Sequence, residues 1–287
     1  MTTSTPAGPT TPASVPPCPA LTLADRVAAL LPARDGELWA VQPYRAWWTV
    51  QPAARLVQGG RALILSWHPW STGVAWQLPD REPYQPDAKT DEIGARHVAD
   101  VLLRHVLPAV DDELAGRDTR DGAEVRRERL ARIGHVMRRQ GVATLEQAGP
   151  LESAAHCTWG TPSGLRYTLT LFGTNPAGHL TVEGPVAAVE ATLATFLPAR
   201  QDKTPRIPLR HVRGRMQRRM AAFLARHTDV EQVDSGALAF GSGDTPYGFV
   251  ATPTDPVARV RDTSPVTVEL HGLGADLLAY LAPQLTR

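Results

Sequence analysis

Three short anchors recur in this chain in one order and at nearly one spacing, and they constrain its architecture more than any other feature. Thr161-Pro162-Ser163-Gly164-Leu165 is followed 84 residues later by Thr245-Pro246-Tyr247-Gly248-Phe249. Upstream of the first, in 125–147, Leu130, Ile133, Val136 and Met137 fall at helical spacing. Upstream of the second, in 212–233, Met216, Met220, Phe223 and Leu224 repeat that pattern, and an offset of 87 pairs Ile133 with Met220 and Met137 with Leu224. Downstream, Thr181-Val182-Glu183 meets Thr267-Val268-Glu269 at an offset of 86, and an Ala/Leu-rich helix follows each, at 185–199 and 274–285. The spacing predicts two copies of an α-β-β-β-α unit, at 123–200 and 206–287. The TP-x-G element lies between runs of alternating apolar residues. Its proline presets φ and its glycine accepts a positive φ, so it reads as the tip of a β-hairpin.

The N-terminal third reads as a diverged third copy. It offers a helix at 21–33 with Thr22 as a cap, strand candidates at 38–50, 61–68 and 72–78, a polar proline-broken loop at 79–92, and an amphipathic helix at 93–110. It lacks the TP-x-G hairpin, although Gly59-Gly60 supplies a first turn. Residues 1–20 are uncharged and rich in Thr and Pro, and read as a disordered arm. The expected fold is α+β: the arm, a Trp-rich acidic unit at 21–116, and the two later units. Each unit packs helices on one face of a small antiparallel sheet, with edges free to pair between units.

The length of 287 residues suits two or three domains, and 43% hydrophobic with 21% charged residues suits a soluble globular chain. A net charge of +1 gives no global pull toward nucleic acid or membrane, and no apolar run approaches the roughly 18 residues of a membrane span. The N-terminus has neither the basic nor the apolar region of a secretory signal. Cys18 and Cys157 make neither a disulfide framework nor a zinc site. A cytoplasmic protein without cofactor, metal or membrane partner is expected.

The line GGRALIL, 59–65, followed by a helix ending LLRHVLPAVDDEL, 102–114, resembles uncharacterised multi-unit proteins carried on actinobacterial plasmids and integrative elements. The TP-x-G and TVE elements are similar to repeated domains of streptomycete proteins. The resemblance is one of pattern over the ordered chain. It implies an origin on a mobile element or in its host genome, and it carries over no catalytic or binding residue.

The standard catalytic signatures are missing. There is no phosphate-cradling G-x-x-x-x-G-K-[ST], no G-x-S-x-G elbow and no H-E-x-x-H, and Gly241-x-Gly243 precedes a hairpin instead of a helix. His97 and His105 diverge by about 80° on their helix and read as surface residues. His156 and Cys157 point to opposite faces of a strand. Glu183 and Glu269 read as solvent-facing strand residues. An enzyme would have to gather His156, Glu183, Glu269 and His271 between units.

Two features point to binding instead. Six of the seven tryptophans lie between 39 and 76. Trp47 and Trp48, adjacent in a predicted strand, face opposite sides, so Trp47, Trp67, Trp70 and Trp76 are candidates for an aromatic contact surface. Charge is also segregated: 80–116 carries nine acids against four bases, whereas 200–227 carries nine bases against Asp202 alone. Arg210, Arg213, Arg215, Arg218 and Arg219 on the helix 209–227, with Arg126 and Arg129 on 125–140, are candidates to track phosphates. Lysine occurs only at Lys89 and Lys203, so a GC-rich coding sequence also accounts for the arginines. Alternatively the basic helices meet the acidic N-terminal unit, within the chain or across a homodimer. The expected function is that of a non-enzymatic binding protein, associated with nucleic acid. The alternatives are a protein–protein interaction or structural module, and an enzyme with its site between units.

Overall fold

Alternating burial organises the chain into two antiparallel sheets with helices, an α+β fold. The computed structural model describes residues 18–91, 94–148, 153–198, 212, 214–233, 237–241, 246–251 and 259–287. Most of the expected arm, residues 1–17, lies outside them. The arm boundary itself moves. Helix α1 spans Pro19–Ala28, because a proline at the first helical position needs no amide hydrogen and its φ is already helical. Thr22 therefore sits inside α1, and Cys18 takes the capping position.

The N-terminal unit departs from the α-β-β-β-α expectation. Its sheet is a five-stranded meander: β1 (Ala40–Tyr44), β2 (Ala53–Gln58), β3 (Arg61–His68), β4 (Ser71–Gln77) and β5 (Ala88–Thr90). The expected strand 38–50 is cut short after Tyr44, and β2 begins beyond Pro52. Trp47 and Trp48 consequently lie in a turn, not on opposite faces of a strand. The Ala-rich start of β2 gave too little apolar contrast to be read as a strand. One sheet face packs on α1 and on the helix expected at 93–110. That helix is α2 (Ala95–Val101), a π turn over Leu102–Val106, and α3 (Leu107–Arg117). Pro108 cannot donate the backbone hydrogen bond that would close a regular turn on Arg104, and the π turn falls just before it. Arg104, turned inward there, donates to the carbonyls of Thr195 and Phe196.

The later segments follow one element order, with one strand more than expected in each. The first runs α4 (Gly122–Arg139), β6 (Leu145–Gln147), β7 (Ala154–Gly160), β8 (Arg166–Phe172), β9 (Gly178–Pro185) and α5 (Val186–Phe196). The second runs α6 (Arg215–Leu224), β10 (Val230–Gln232), β11 (Leu238–Phe240), β12 (Tyr247–Ala251), β13 (Pro265–Leu273) and α7 (Ala275–Leu285). The extra strands, β6 and β10, are three-residue edges. The two segments share one eight-stranded sheet, ordered β10-β11-β12-β13-β9-β8-β7-β6, while the N-terminal sheet remains separate. The join is where the two TVE triplets meet: Val182 lies opposite Val268, Thr181 opposite Glu269, and Glu183 opposite Thr267.

The TP-x-G element marks the same connection in both segments, but its glycines do different work. Gly164 turns the β7–β8 hairpin with φ +81°, and Thr161 N–H bonds the Leu165 carbonyl at 2.9 Å. Gly248 lies inside β12, where a methyl group would meet the Glu269 carbonyl of β13 and the Phe240 ring. All four helices pack on one face of the large sheet. Leu130, Ile133 and Met137 of α4, and Met216, Met220 and Leu224 of α6, are buried as their spacing predicts. These residues join the inner faces of both sheets in one contiguous core.

Candidate functional site

The arginines are the first test of a phosphate-binding face. Arg126 of α4 is only 8% exposed and donates to the Gly173 carbonyl at 2.7 Å. Arg129 donates to the Thr174 carbonyl at 3.1 Å, and burial pushes its guanidinium below its ordinary range. Both secure the β8–β9 turn. Arg219 of α6 grips Glu190 of α5 through two 2.8 Å bonds and reaches Asp262 at 2.8 Å. Arg215 and Arg218 face solvent. Arg210 and Arg213 lie outside the described residues. Thus Arg126, Arg129 and Arg219 are engaged inside the fold. One basic helix also meets the N-terminal unit: Arg132 of α4 bonds Asp35 at 2.9 Å.

The four residues of the enzymatic alternative lie on the face of the large sheet that carries no helix. His156 Nδ1 is 3.0 Å from the Thr170 hydroxyl, and His271 Nε2 is 3.7 Å from Glu269. Sequence reading missed His179. The β9–β13 pairing brings its ring to 4.1 Å from that of His271, with Phe172, Tyr247 and Phe249 around the pair. Burial, then the neighbouring His271, pushes the His179 imidazole below its ordinary pKa. This is an aromatic and histidine patch on a sheet surface, not a deep cleft. Cys157 points to the other face, buried, and burial pushes its thiol up to about 11, where a thiolate nucleophile is not available near neutral pH. Among the described residues no group of three or more His, Cys, Asp or Glu side chains is placed to hold a metal ion, and no helix is long and apolar enough to cross a membrane.

The tryptophans divide into two sets. Trp39 and Trp76 are buried in the core, Trp76 beneath the Arg81 guanidinium at 3.3 Å, and Trp67 is half-buried against the same core. Trp47 and Trp70 are 61% and 83% exposed, as are Val50 at 99% and Tyr84 at 79%. Topology gathers them. Ala53 of β2 pairs with Ser66 of β3, so the 45–52 loop and the Pro69-Trp70 turn leave the sheet at the same end. Trp67 N–H ties the two by bonding the Pro52 carbonyl at 2.9 Å. Tyr84 stands edge-on to Trp47 at 5.9 Å, and Trp48 edge-on at 6.1 Å. Underneath, Trp48 and Tyr44 cover Ile64 and Ala75 on the outer sheet face. Such edge-to-face geometry suits the ring quadrupoles and stiffens the loop. The buried indole N–H of Trp48 has no hydrogen-bond partner among the described residues.

A second concavity, about 650 Å3, opens where the Asp35-Gly36 turn, α4 and the start of α7 meet. Its basic residues include Arg34 and Arg132, and these already hold acids: Arg34 bonds Asp111 at 2.9 and 2.8 Å and Asp276 at 2.8 Å, and Arg132 bonds Asp35. Comparison with protein-family models, curated proteins and solved structures finds no match, so nothing there bears on the plasmid resemblance.

Proposed function

We propose that this is a non-enzymatic binding protein that engages a protein partner through the exposed aromatic end of its N-terminal sheet. The observation that carries the reading is that Trp47, Val50 and Trp70, on the loop and turn leaving the N-terminal sheet at one end, are largely solvent-exposed, with the exposed Tyr84 edge-on to Trp47. Water-exposed apolar side chains gathered in one place are costly to keep unless they meet something. Tryptophan and tyrosine are the residues that dominate the centres of protein interfaces. Arg45 is the one charged residue of the 45–52 loop, and the Pro69-Trp70 turn has none, so the patch can be desolvated cheaply. The nucleic-acid reading draws less support, since Arg126, Arg129 and Arg219 are already engaged within the fold.

A photo-crosslinking residue at Val50, with a control at the exposed Arg127 on α4, tests this in cells. The expected result is discrete, nuclease-resistant protein adducts from position 50 and none from 127. Trp70→Ala should cut their yield about tenfold or more, as loss of an interface anchor does. Adducts that vanish with nuclease, or a yield indifferent to Trp70, would overturn the protein-partner reading.

A further inference from the structure

The concavity of about 650 Å3 between the Asp35-Gly36 turn, α4 and the start of α7 has a cause in the side chains around it. Helices α4 and α7 pack on each other, and beside Asp276 the residues that α7 brings to the cavity are Ala275 and Ala279. Small side chains one turn apart leave open the space that larger ones would fill. From α4, Ile133 and Val136 extend the apolar lining; Ile133 is part of the core and Val136 packs against it. The floor is therefore held in place by packing. Its volume falls within the range of about 300–1,000 Å3 typical of small-molecule pockets.

The charges around that floor decide what it can take. Its lining carries three carboxylates, and each is engaged. Asp276 accepts from Arg34 and Arg61 at 2.8 Å, Asp35 from Arg132 at 2.9 Å, and Glu128 from Arg120 at 2.8 Å. The same pairs occupy Arg34 and Arg132. Arg139, exposed at the end of α4, is the remaining Asp, Glu, Lys or Arg of the lining, and it has no carboxylate partner among the described residues. A cation entering the cavity would have to break an existing ion pair, whereas an anion meets a guanidinium whose charge is unspent. His135 lies one turn before Arg139, so both can donate to one acid group. A guanidinium also takes a carboxylate through two parallel hydrogen bonds. We propose that this cavity binds a small organic acid, with the acid group on Arg139 and His135 and the apolar body against Ile133, Val136, Ala275 and Ala279. The site shares no lining residue with the 45–52 loop, so it stands or falls apart from the protein-partner reading.

The test is carbon-13 NMR of the full chain labelled on its alanine methyl groups, with Ala275 and Ala279 assigned by single Ala→Ser replacements. The probes are benzoate, 1-naphthoate and decanoate, with the uncharged 1-naphthamide as control. At least one acid should shift both methyl signals saturably, and 1-naphthamide should need about ten times the concentration of 1-naphthoate. Arg139→Gln, at an exposed position, should weaken acid binding about tenfold and leave the amide unchanged. Ala279→Leu, which fills the cavity, should remove the response of Ala275. Silence of both methyls toward all three acids at millimolar concentration would overturn the site. Equal affinity for acid and amide, or acid binding indifferent to Arg139→Gln, would overturn the assignment of an organic acid. Shifts confined to Ala46 and Ala53, which pack beneath the aromatic loop, would place the probes there and overturn this site as well.

Discussion

Asp276, 4% exposed in the first turn of α7, takes hydrogen bonds from two guanidiniums that belong to the N-terminal unit. Arg61 donates at 2.8 and 3.3 Å and Arg34 at 2.8 Å, while Arg34 also grips Asp111 of α3. Burial alone would raise the Asp276 pKa, but the two guanidiniums outweigh it and hold the carboxyl below its ordinary value. The sign of the pH effect follows. A carboxylate whose folded pKa is depressed stabilises the fold above its unfolded pKa of about 3.9, and that contribution is lost as pH falls through the folded pKa. Asp276→Asn should cost about 3–5 kcal/mol at pH 7, because it takes the nearest carboxylate from the buried Arg61 and leaves Arg34 with Asp111 alone. Urea titrations at pH 7, 5 and 3 should show the wild-type advantage intact at pH 5 and shrinking at pH 3. An advantage that does not depend on pH would mean that Asp276 acts by packing alone. This network was invisible in the sequence. Arg34, Arg61, Asp111 and Asp276 are scattered along the chain, and none carries a motif.

At the scale of elements, the two TP-x-G sites show how far a motif can be read. Both flank a hairpin connection, as their proline and glycine imply, but only Gly164 has the positive φ that a turn glycine supplies. Gly248 is there because β12 and β13 run too close for a side chain. Gly164→Ala should therefore cost only about 1 kcal/mol of backbone strain. Gly248→Ala must push β12 off β13 and should cost about 3 kcal/mol or more, within the range of overpacked sites. Chemical denaturation of the two variants checks the order, and equal costs would refute the distinction. Helices were the most legible elements: the buried faces of α4 and α6 match their apolar spacing. The β2 strand and the edge strands β6 and β10 were not. Three residues are too few to show a period, and the alanines that open β2 give little contrast.

Among the described residues, both sheets and helices α1–α7 feed one continuous core. Arg104, Arg34 and Arg61 further tie the N-terminal unit to α5 and α7. The chain should unfold in a single cooperative transition, with far-ultraviolet circular dichroism and tryptophan fluorescence giving the same urea midpoint. Six of the seven tryptophans report on the N-terminal unit, so two separated midpoints would show that this unit unfolds by itself.

By itself the sequence determined the α+β class, the helix faces and the hairpin at 161–164, because these are local patterns of period, capping and turn chemistry. Only the tertiary structure decided the rest. Strand pairing placed TVE against TVE and closed one eight-stranded sheet, while the N-terminal sheet stayed apart. Packing drew Arg126, Arg129 and Arg219 onto carbonyls and carboxylates. A turn in place of a strand left Trp47 and Val50 exposed at the sheet end that also carries Trp70, with Tyr84 edge-on to Trp47. Which side of a side chain meets water depends on partners distant in sequence, and a local pattern holds no record of them.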